Sequence, residues 1–267
     1  MADMLAGDTD GGVSLLVDLA RATDEKRRNR ARELAASLLI PVARTPGVSR
    51  PGGSARIGAV RSGGVDLDID ATVERLVESP ALGPDDLQWR GWRRPSRAVV
   101  LVVDASGSVS GEPIAVAIVA AAALAGRLAP SDELGVVAFW SKALVLRHLD
   151  EPTPPASVVE RLLALRNGDT TDMATGIRAG LSEFHFASAA RRDVIVVTDG
   201  LANEGDDPCD AARAVIGLGG RLHVLALPGE EDSEEACKRI ADAGGGTMAR
   251  LARPSDAVSA ITSILAS

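Results

Sequence analysis

Tyrosine is absent from this chain, and Phe and Trp together bring the aromatic share to only 2% of 267 residues. A surface so poor in aromatic rings lacks the platforms on which unpaired bases stack, which argues against a site for single-stranded nucleic acid. Hydrophobic residues still make up 46% of the chain, so a core of ordinary size must be built from Ala, Val, Leu and Ile. Cysteine is scarce as well. Cys209 and Cys237 fall in expected helices without Cys-x-x-Cys spacing, and both read as reduced, small apolar residues of a cytosolic protein. The phosphate-binding pattern G-x-x-x-x-G-K-S/T is missing, which excludes nucleotide hydrolysis by that route. The G-x-S-x-G elbow of Ser-His-Asp hydrolases is missing too. His148, His185 and His223 have no metal-ligand spacing and read as packing residues. The expectation is a protein that is not an enzyme.

Long apolar runs are also lacking. The most apolar stretch, "PIAVAIVAAAALAGRLA" (113–129), is Ala-rich and too short for a convincing membrane span, so it is expected to be a core helix. The opening "MADMLAGDTDGG" is acidic and carries no apolar segment of a secretion signal. A cytoplasmic protein without a membrane span is expected. The net charge of −8 is unevenly placed: residues 1–97 hold 15 Lys/Arg and 14 Asp/Glu, whereas residues 98–267 hold 14 and 23. An acidic C-terminal part repels phosphate backbones, which speaks against nucleic acid as a partner. The basic run "KRRNRAR" (26–32) reads as the solvated face of a helix, because "ELAASLLI" follows at once.

From residue 98 onward strand and helix patterns alternate. "AVVLVVD" (98–104), "DVIVVTDG" (193–200) and "RLHVLALP" (221–228) are continuous apolar, β-branched runs, as parallel strands covered on both faces require. Helices are expected at 113–129, 157–165, 172–188, 208–219, 233–245 and 255–266, with a short strand at 247–252. "ELGVVAFW" (133–140) and "ALVLRHL" (143–149) are separated by only Ser141-Lys142, which predicts a hairpin and hence one antiparallel edge strand. The fold class is therefore α/β, a doubly wound and mostly parallel sheet over residues 98–267. Residues 1–97 form a smaller mixed region. It has expected helices at 13–21, 24–39 and 71–79, a Pro/Gly-rich stretch at 41–58 and a hairpin over 59–70. An edge strand over 87–94 is expected to pack Trp89 and Trp92 on the larger domain.

The chemistry gathers where the buried strands end. Asp104-Ala105-Ser106-Gly107-Ser108 closes the first of them, and in extended chain Asp104, Ser106 and Ser108 project to one side. That position, beyond the carboxyl end of a parallel strand, is where open α/β sheets bind ligands. Thr171 in "NGDTTDMATGI" stands where a loop turns into a helix, and Asp199 closes the run "VIVVTDG". Each piece alone also reads as a turn, a helix cap or a loop; their occurrence in this order and strand context favours a site. Carboxylates and hydroxyls are hard oxygen donors that suit Mg²⁺ or Mn²⁺ and not Zn²⁺ or Cu²⁺. An aspartyl phosphatase would need D-x-D-x-T, and Ser106 replaces its second Asp. The acidic cluster Glu204, Asp206 and Asp207 just beyond reads as a solvated loop that could also repel unsuitable partners.

D-x-S-x-S, then Thr, then Asp resembles the metal-ion-dependent adhesion site of von Willebrand factor A domains, over about residues 98–267. The resemblance implies Ser106, Ser108 and Thr171 as direct ligands of Mg²⁺ or Mn²⁺, with Asp104 and Asp199 holding metal-bound waters. It also implies a protein partner that offers an Asp or Glu to the ion. The tract "DLDIDATVERLVES" ahead of "RRPSRAVVLVVDASGSV" resembles intracellular bacterial members that accompany MoxR-type AAA+ ATPases, which implies an adaptor. The A-domain subunits of magnesium and cobalt chelatases are similar, but they carry an ATPase-like domain and an acidic, Pro-rich linker that this chain lacks.

Overall fold

A computed structural model of the chain describes residues 56–60, 66–67, 69, 72–73 and 89–93, and most of 97–266. Within the last range, 107–111, 129–131, 152–157, 159–160, 163, 166–169, 230 and 254 are not described. The expected helices at 13–21 and 24–39, the 41–55 stretch and Ser108 lie outside the described residues.

Three short strands form one sheet: β1 (Arg56–Val60), β2 (Asp66–Leu67) and β3 (Trp89–Arg93). Both β1 and β2 pair antiparallel with β3, so the order is β1-β3-β2. This corrects two expectations. Residues 59–70 are not a hairpin, since β1 and β2 do not pair with each other, and the strand holding Trp89 and Trp92 is central, not at an edge. The Ser-Gly-Gly between β1 and β2 signals a bend, but a bend does not name the partner strand. This sheet lies in a compact unit, Ser49–Ser96, distinct from the one that holds the larger sheet.

The larger sheet has six strands: β4 (Arg97–Asp104), β5 (Glu133–Phe139), β6 (Ala143–Arg147), β7 (Arg191–Thr198), β8 (Gly220–Ala226) and β9 (Gly245–Arg250). Their order is β6-β5-β4-β7-β8-β9, parallel throughout except for β6, which runs antiparallel at one edge. The mostly parallel α/β fold expected from the alternating pattern is thus present. Among the described residues five helices with complete bounds accompany the sheet: α1 (Glu112–Arg127), α2 (Met173–Ser182), α3 (Pro208–Gly217), α4 (Glu231–Ala243) and α5 (Asp256–Ala266). A single 3-10 turn, Glu183–Phe186, extends α2. In the expected 157–165 helix, only Val158, Arg161 and Leu162 are described as helical.

The alternation of side chains along β4 builds the two sides of the core. Val99, Leu101 and Val103 join a cluster with Val116, Ile118, Ala120, Ala121 and Leu124 of α1 and with Ile261 and Ile264 of α5. Ala98, Val100 and Val102 join Met173 and Ile177 of α2, Val215 of α3 and Ile240 of α4. A strand buried on both faces must be apolar at nearly every position, which is why β4 reads as one unbroken run. With few rings available, close packing depends on small residues. At Gly176 of α2 an added Cβ would stand 2.5 Å from Cγ of the buried Phe139 ring, and at Gly180 it would stand 2.6 Å from Val102 Cγ2.

The amino ends of β4, β7 and β8 are tied by one buried carboxylate. Asp193, with no exposed surface, pairs with Arg97 Nε at 3.2 Å, Arg191 Nε at 3.2 Å and Arg221 Nε at 3.5 Å. His223 Nε2 faces it at 3.6 Å, while the backbone N–H of Thr247 donates to His223 Nδ1 at 3.1 Å. Burial works to raise the pKa of Asp193, but His223 and the guanidiniums of Arg191 and Arg97 outweigh it and hold the carboxyl below its ordinary range. His223 thus has the packing role its strand context suggested.

Gly176→Ala should gain about 1 kcal/mol of helix propensity and lose more to overpacking against Phe139, about 1–3 kcal/mol. The expected outcome is a lower urea midpoint with an unchanged m-value. A midpoint at or above that of the parent protein would show that α2 can move off the sheet at no cost.

Candidate metal centre

The register of the parallel strands sets the site. Asp104 is the last residue of β4 and lies opposite Phe139 of β5, while Val103 lies opposite Val197 of β7. Chain continues from all three strands at the same end of the sheet. Ala105 N–H donates to the Phe139 carbonyl at 2.8 Å, prolonging the β4–β5 pairing by one residue. Asp172 N–H donates to the Trp140 carbonyl at 2.8 Å, which fixes the start of α2 beside the end of β5. Thr171, one residue earlier, comes to the same end.

Asp104 is completely buried. Its Oδ1 accepts the Ser106 backbone N–H at 2.9 Å, its Oδ2 accepts the Thr198 hydroxyl at 2.9 Å, and the Ser106 hydroxyl also bonds to it. Gly200 N–H in turn donates to Thr198 Oγ1 at 3.1 Å. Asp199 Oδ1 accepts Leu201 N–H at 3.1 Å, folding the carboxylate over its own loop. Ser106, Thr171 and Asp199 are all buried, with 1%, 2% and 7% of their surface exposed.

Thr171 does not cap α2. That role falls to Asp172, whose Oδ1 accepts Thr175 N–H at 2.9 Å while Oδ2 accepts the Thr175 hydroxyl at 2.7 Å. The backbone of Thr171 is engaged by the loop after β7. Its N–H donates to Asn203 Oδ1 at 2.8 Å, and its carbonyl accepts Asn203 N–H at 3.2 Å and Glu204 N–H at 3.3 Å. Gly205, at φ +88, packs its backbone against the Asp172 carboxylate so closely that a Cβ would collide with it. The acidic cluster beyond is exposed. Asp206 pairs with Arg178 at 2.7 Å, and Asp207 caps α3 by accepting Cys209 N–H at 2.9 Å.

Four of the five residues expected to form the site, Asp104, Ser106, Thr171 and Asp199, therefore lie at one end of the sheet; the fifth, Ser108, is outside the described residues. Two further residues, Thr198 and Asn203, were not anticipated. Thr198 had a signal, a hydroxyl ending an apolar strand next to Asp199. Asn203 had none, since an Asn in a loop ordinarily reads as turn chemistry.

The electrostatics of this group are unbalanced. Burial pushes the Asp104 carboxyl up to about 6 from 3.8, hydrogen bonds from Ser106 and Thr198 pull it down, and the negative charge of Asp199 adds to the rise. Among the described residues Asp104 has no ion pair, in contrast to Asp193. The donors are oxygens only, two carboxylates and two hydroxyls, and no group of three or more His, Cys, Asp or Glu able to hold a metal occurs among the described residues. Such a set suits a hard cation, which would offset both the burial of Asp104 and its repulsion by Asp199.

The profile of the von Willebrand factor type A domain matches residues 98–263, more than half of the chain. The chain belongs to the von Willebrand factor type A domain family. Domains of this family are commonly protein-interaction modules and often bind a metal at a metal-ion-dependent adhesion site. An uncharacterised protein of Synechocystis sp. is 26% identical over 171 residues, covering 62% of this chain and 40% of its own length. The chain thus spans about 40% of the length of that curated relative. An aerotolerance-related membrane protein from Bacteroides fragilis has the same fold, with a TM-score of 0.53 at 19% identity over 64% of this chain and 98% of that one. Proximal thread matrix protein 1 from the mussel byssus, with a zinc-occupied adhesion-site motif, shares it too, with a TM-score of 0.51 at 13% identity over 64% of this chain and 45% of that one. Among the described residues no helix is long and apolar enough to cross a membrane.

The shift at Asp104 makes a pH prediction for the metal-free protein. The folded state holds this proton more tightly than the unfolded chain does. The contribution is therefore fully present below pH 3.8 and is lost as pH rises through about 6. Ionised Asp104 should cost the fold about 3 kcal/mol. In EDTA, urea melts of the parent protein should fall relative to Asp104→Asn between pH 4 and 7, and a pH-independent difference would rule out a buried ionised carboxylate.

Proposed function

We propose that this chain is a non-catalytic adaptor that docks on a partner protein through one divalent ion, Mg²⁺ or Mn²⁺, held by Asp104, Ser106, Ser108, Thr171 and Asp199. The observation that carries this reading is the fully buried Asp104, which has no ion pair among the described residues, lies within the influence of Asp199 and shares its end of the sheet with two buried hydroxyls. Ser106, Ser108 and Thr171 would ligate the ion directly, and Asp104 and Asp199 would hold its waters. When bound, the ion supplies a Lewis-acidic coordination position that a Glu or Asp of the partner fills. Neutral hydroxyls as direct ligands leave the ion's charge incompletely neutralised, which favours an incoming carboxylate.

The chain's own residues do the rest. Asp104 orients the Ser106 backbone and is itself fixed by Thr198. The carboxylate of Asp199 is held by Leu201 N–H. The exposed loop 201–207 gives the partner its surroundings, and its acidic residues disfavour acidic neighbours of the docking carboxylate. The oxygen-only donor set supports Mg²⁺ or Mn²⁺ over the zinc named for the mussel protein. The tract before β4 and the absence of a nucleotide-binding pattern support a MoxR-type AAA+ ATPase as the partner, in the cytoplasm, with no role for nucleic acid.

At a free Mg²⁺ concentration 100 times its Kd the folded state should gain about 2.7 kcal/mol, read as a rise in Tm. Asp104→Ala and Ser106→Ala should abolish that rise. A cognate MoxR-type ATPase should co-purify in Mg²⁺ and be released by EDTA. A Mg²⁺-dependent rise that survives in both variants would place the ion elsewhere, and a complex indifferent to EDTA would remove the metal from docking.

A further inference from the structure

Thr171 and Asp199 reach the site on separate loops, one entering α2 and the other leaving β7. The strand register alone does not fix the distance between those loops; among the described residues the first is tied by backbone to the end of β5 through Asp172 N–H and the Trp140 carbonyl. Asn203 closes this gap. Its side-chain Oδ1 accepts Thr171 N–H at 2.8 Å, and its own N–H returns to the Thr171 carbonyl at 3.2 Å. The two residues are therefore joined by a reciprocal pair, in which Asn203 acts as an additional strand-like partner for Thr171. Beside it, Gly205 packs on Asp172, and Asp206 pairs with Arg178 of α2 at 2.7 Å.

We propose that Asn203 is a positioning residue for the metal centre, a latch that sets the Thr171 hydroxyl and the Asp199 carboxylate as one rigid unit. The inference rests on the metal reading proposed above. Asn203 is exposed and belongs to neither core cluster, so its loss should leave the fold intact. Its effect runs through the Thr171 backbone, whose amide it holds from outside the site. Groups that orient a ligand from behind typically change metal affinity by about 10-fold or more when removed.

Two measurements on the full chain test the latch, with Asn203→Ala and Asn203→Asp as variants. The second keeps an accepting side-chain oxygen. The first measurement is amide hydrogen exchange at Thr171 in EDTA, and it needs no metal. Asn203→Ala should speed that exchange by about 5-fold with a Tm lower by no more than about 2–4 °C, and Asn203→Asp should restore it. The second is a Mn²⁺ titration followed by electron paramagnetic resonance. Asn203→Ala should bind Mn²⁺ about 10-fold more weakly than the parent protein, and Asn203→Asp should bind at least as well as the parent. Unchanged Thr171 exchange in Asn203→Ala would overturn the latch, and so would faster exchange with unaltered Mn²⁺ affinity. Parent binding that is lost in Ser106→Ala but kept in Asn203→Ala would leave the metal reading standing and remove the latch alone. A parent protein that takes up no Mn²⁺ would overturn both.

Discussion

Asp104 ends the central strand of the larger sheet with no surface exposed to water and a second carboxylate within electrostatic reach. Burying a charge without a counter-ion is among the costliest things a fold can do, and the protein has two ways to relieve it. One is the proton, which the raised pKa of about 6 describes. The other is a cation from solution, which would be favoured at neutral pH, where the proton is gone. The surrounding donors fit the second way, because hydroxyls and carboxylates supply oxygens and add no positive charge of their own. The same sheet shows what the alternative looks like. Asp193, equally buried, is surrounded by three arginines and a histidine and is held below its ordinary pKa.

The position of that charge follows from the topology. In a parallel sheet all carboxyl ends fall on one side, and neighbouring strands that leave for helices on opposite faces open a crevice there. β4 sends its chain towards α1, packed on one face, while β7 leads to α3 on the other. The β4 residues before Asp104 are apolar on both faces, so the strand cannot slip without exposing the core or burying more charge. Asp104 is thus held in depth by packing that has nothing to do with its chemistry. What packing does not set is the approach of the loops, and hydrogen bonds complete it: Thr198 to Asp104, Gly200 to Thr198, and Asn203 to Thr171.

Much of this was legible in the sequence, for identifiable reasons. β4, β7 and β8 announced themselves because strands covered on both faces leave unbroken apolar runs, and the Ser141-Lys142 link allowed only a tight reversal. Asp104, Ser106 and Asp199 stood out as candidates because polar residues at the ends of such runs have little structural reason to be there, and Thr171 because a loop turns into a helix beside it. The hairpin over 59–70 was misread because its strands pair through β3, which starts more than twenty residues after β2 ends, and short-range turn signals carry no information about so distant a partner. Thr171 could be taken for a helix cap because Asp172, the actual cap, follows directly. Asn203 was illegible for a deeper reason. Its partner is 32 residues away, and the bond is made to a backbone amide, which every residue but proline offers.

The two ends of the sheet carry opposite demands. At the amino end, Arg97, Arg191 and Arg221 converge on Asp193 and tie β4, β7 and β8 together, so charge there is compensated within the chain and serves the fold. At the carboxyl end, Asp104 has no ion pair among the described residues, and burial and the charge of Asp199 disfavour its ionised form. Stabilisation can be concentrated where binding needs nothing, and the cost of a buried carboxylate confined to the end of the sheet where a bound cation would relieve it. The separation is possible because the strands between are rigid and dry. Val99, Val100, Leu101, Val102 and Val103 have no exposed surface, so neither end can draw on water or on the other's charges. A cation bound there would gain affinity from the same burial that raises the pKa of Asp104.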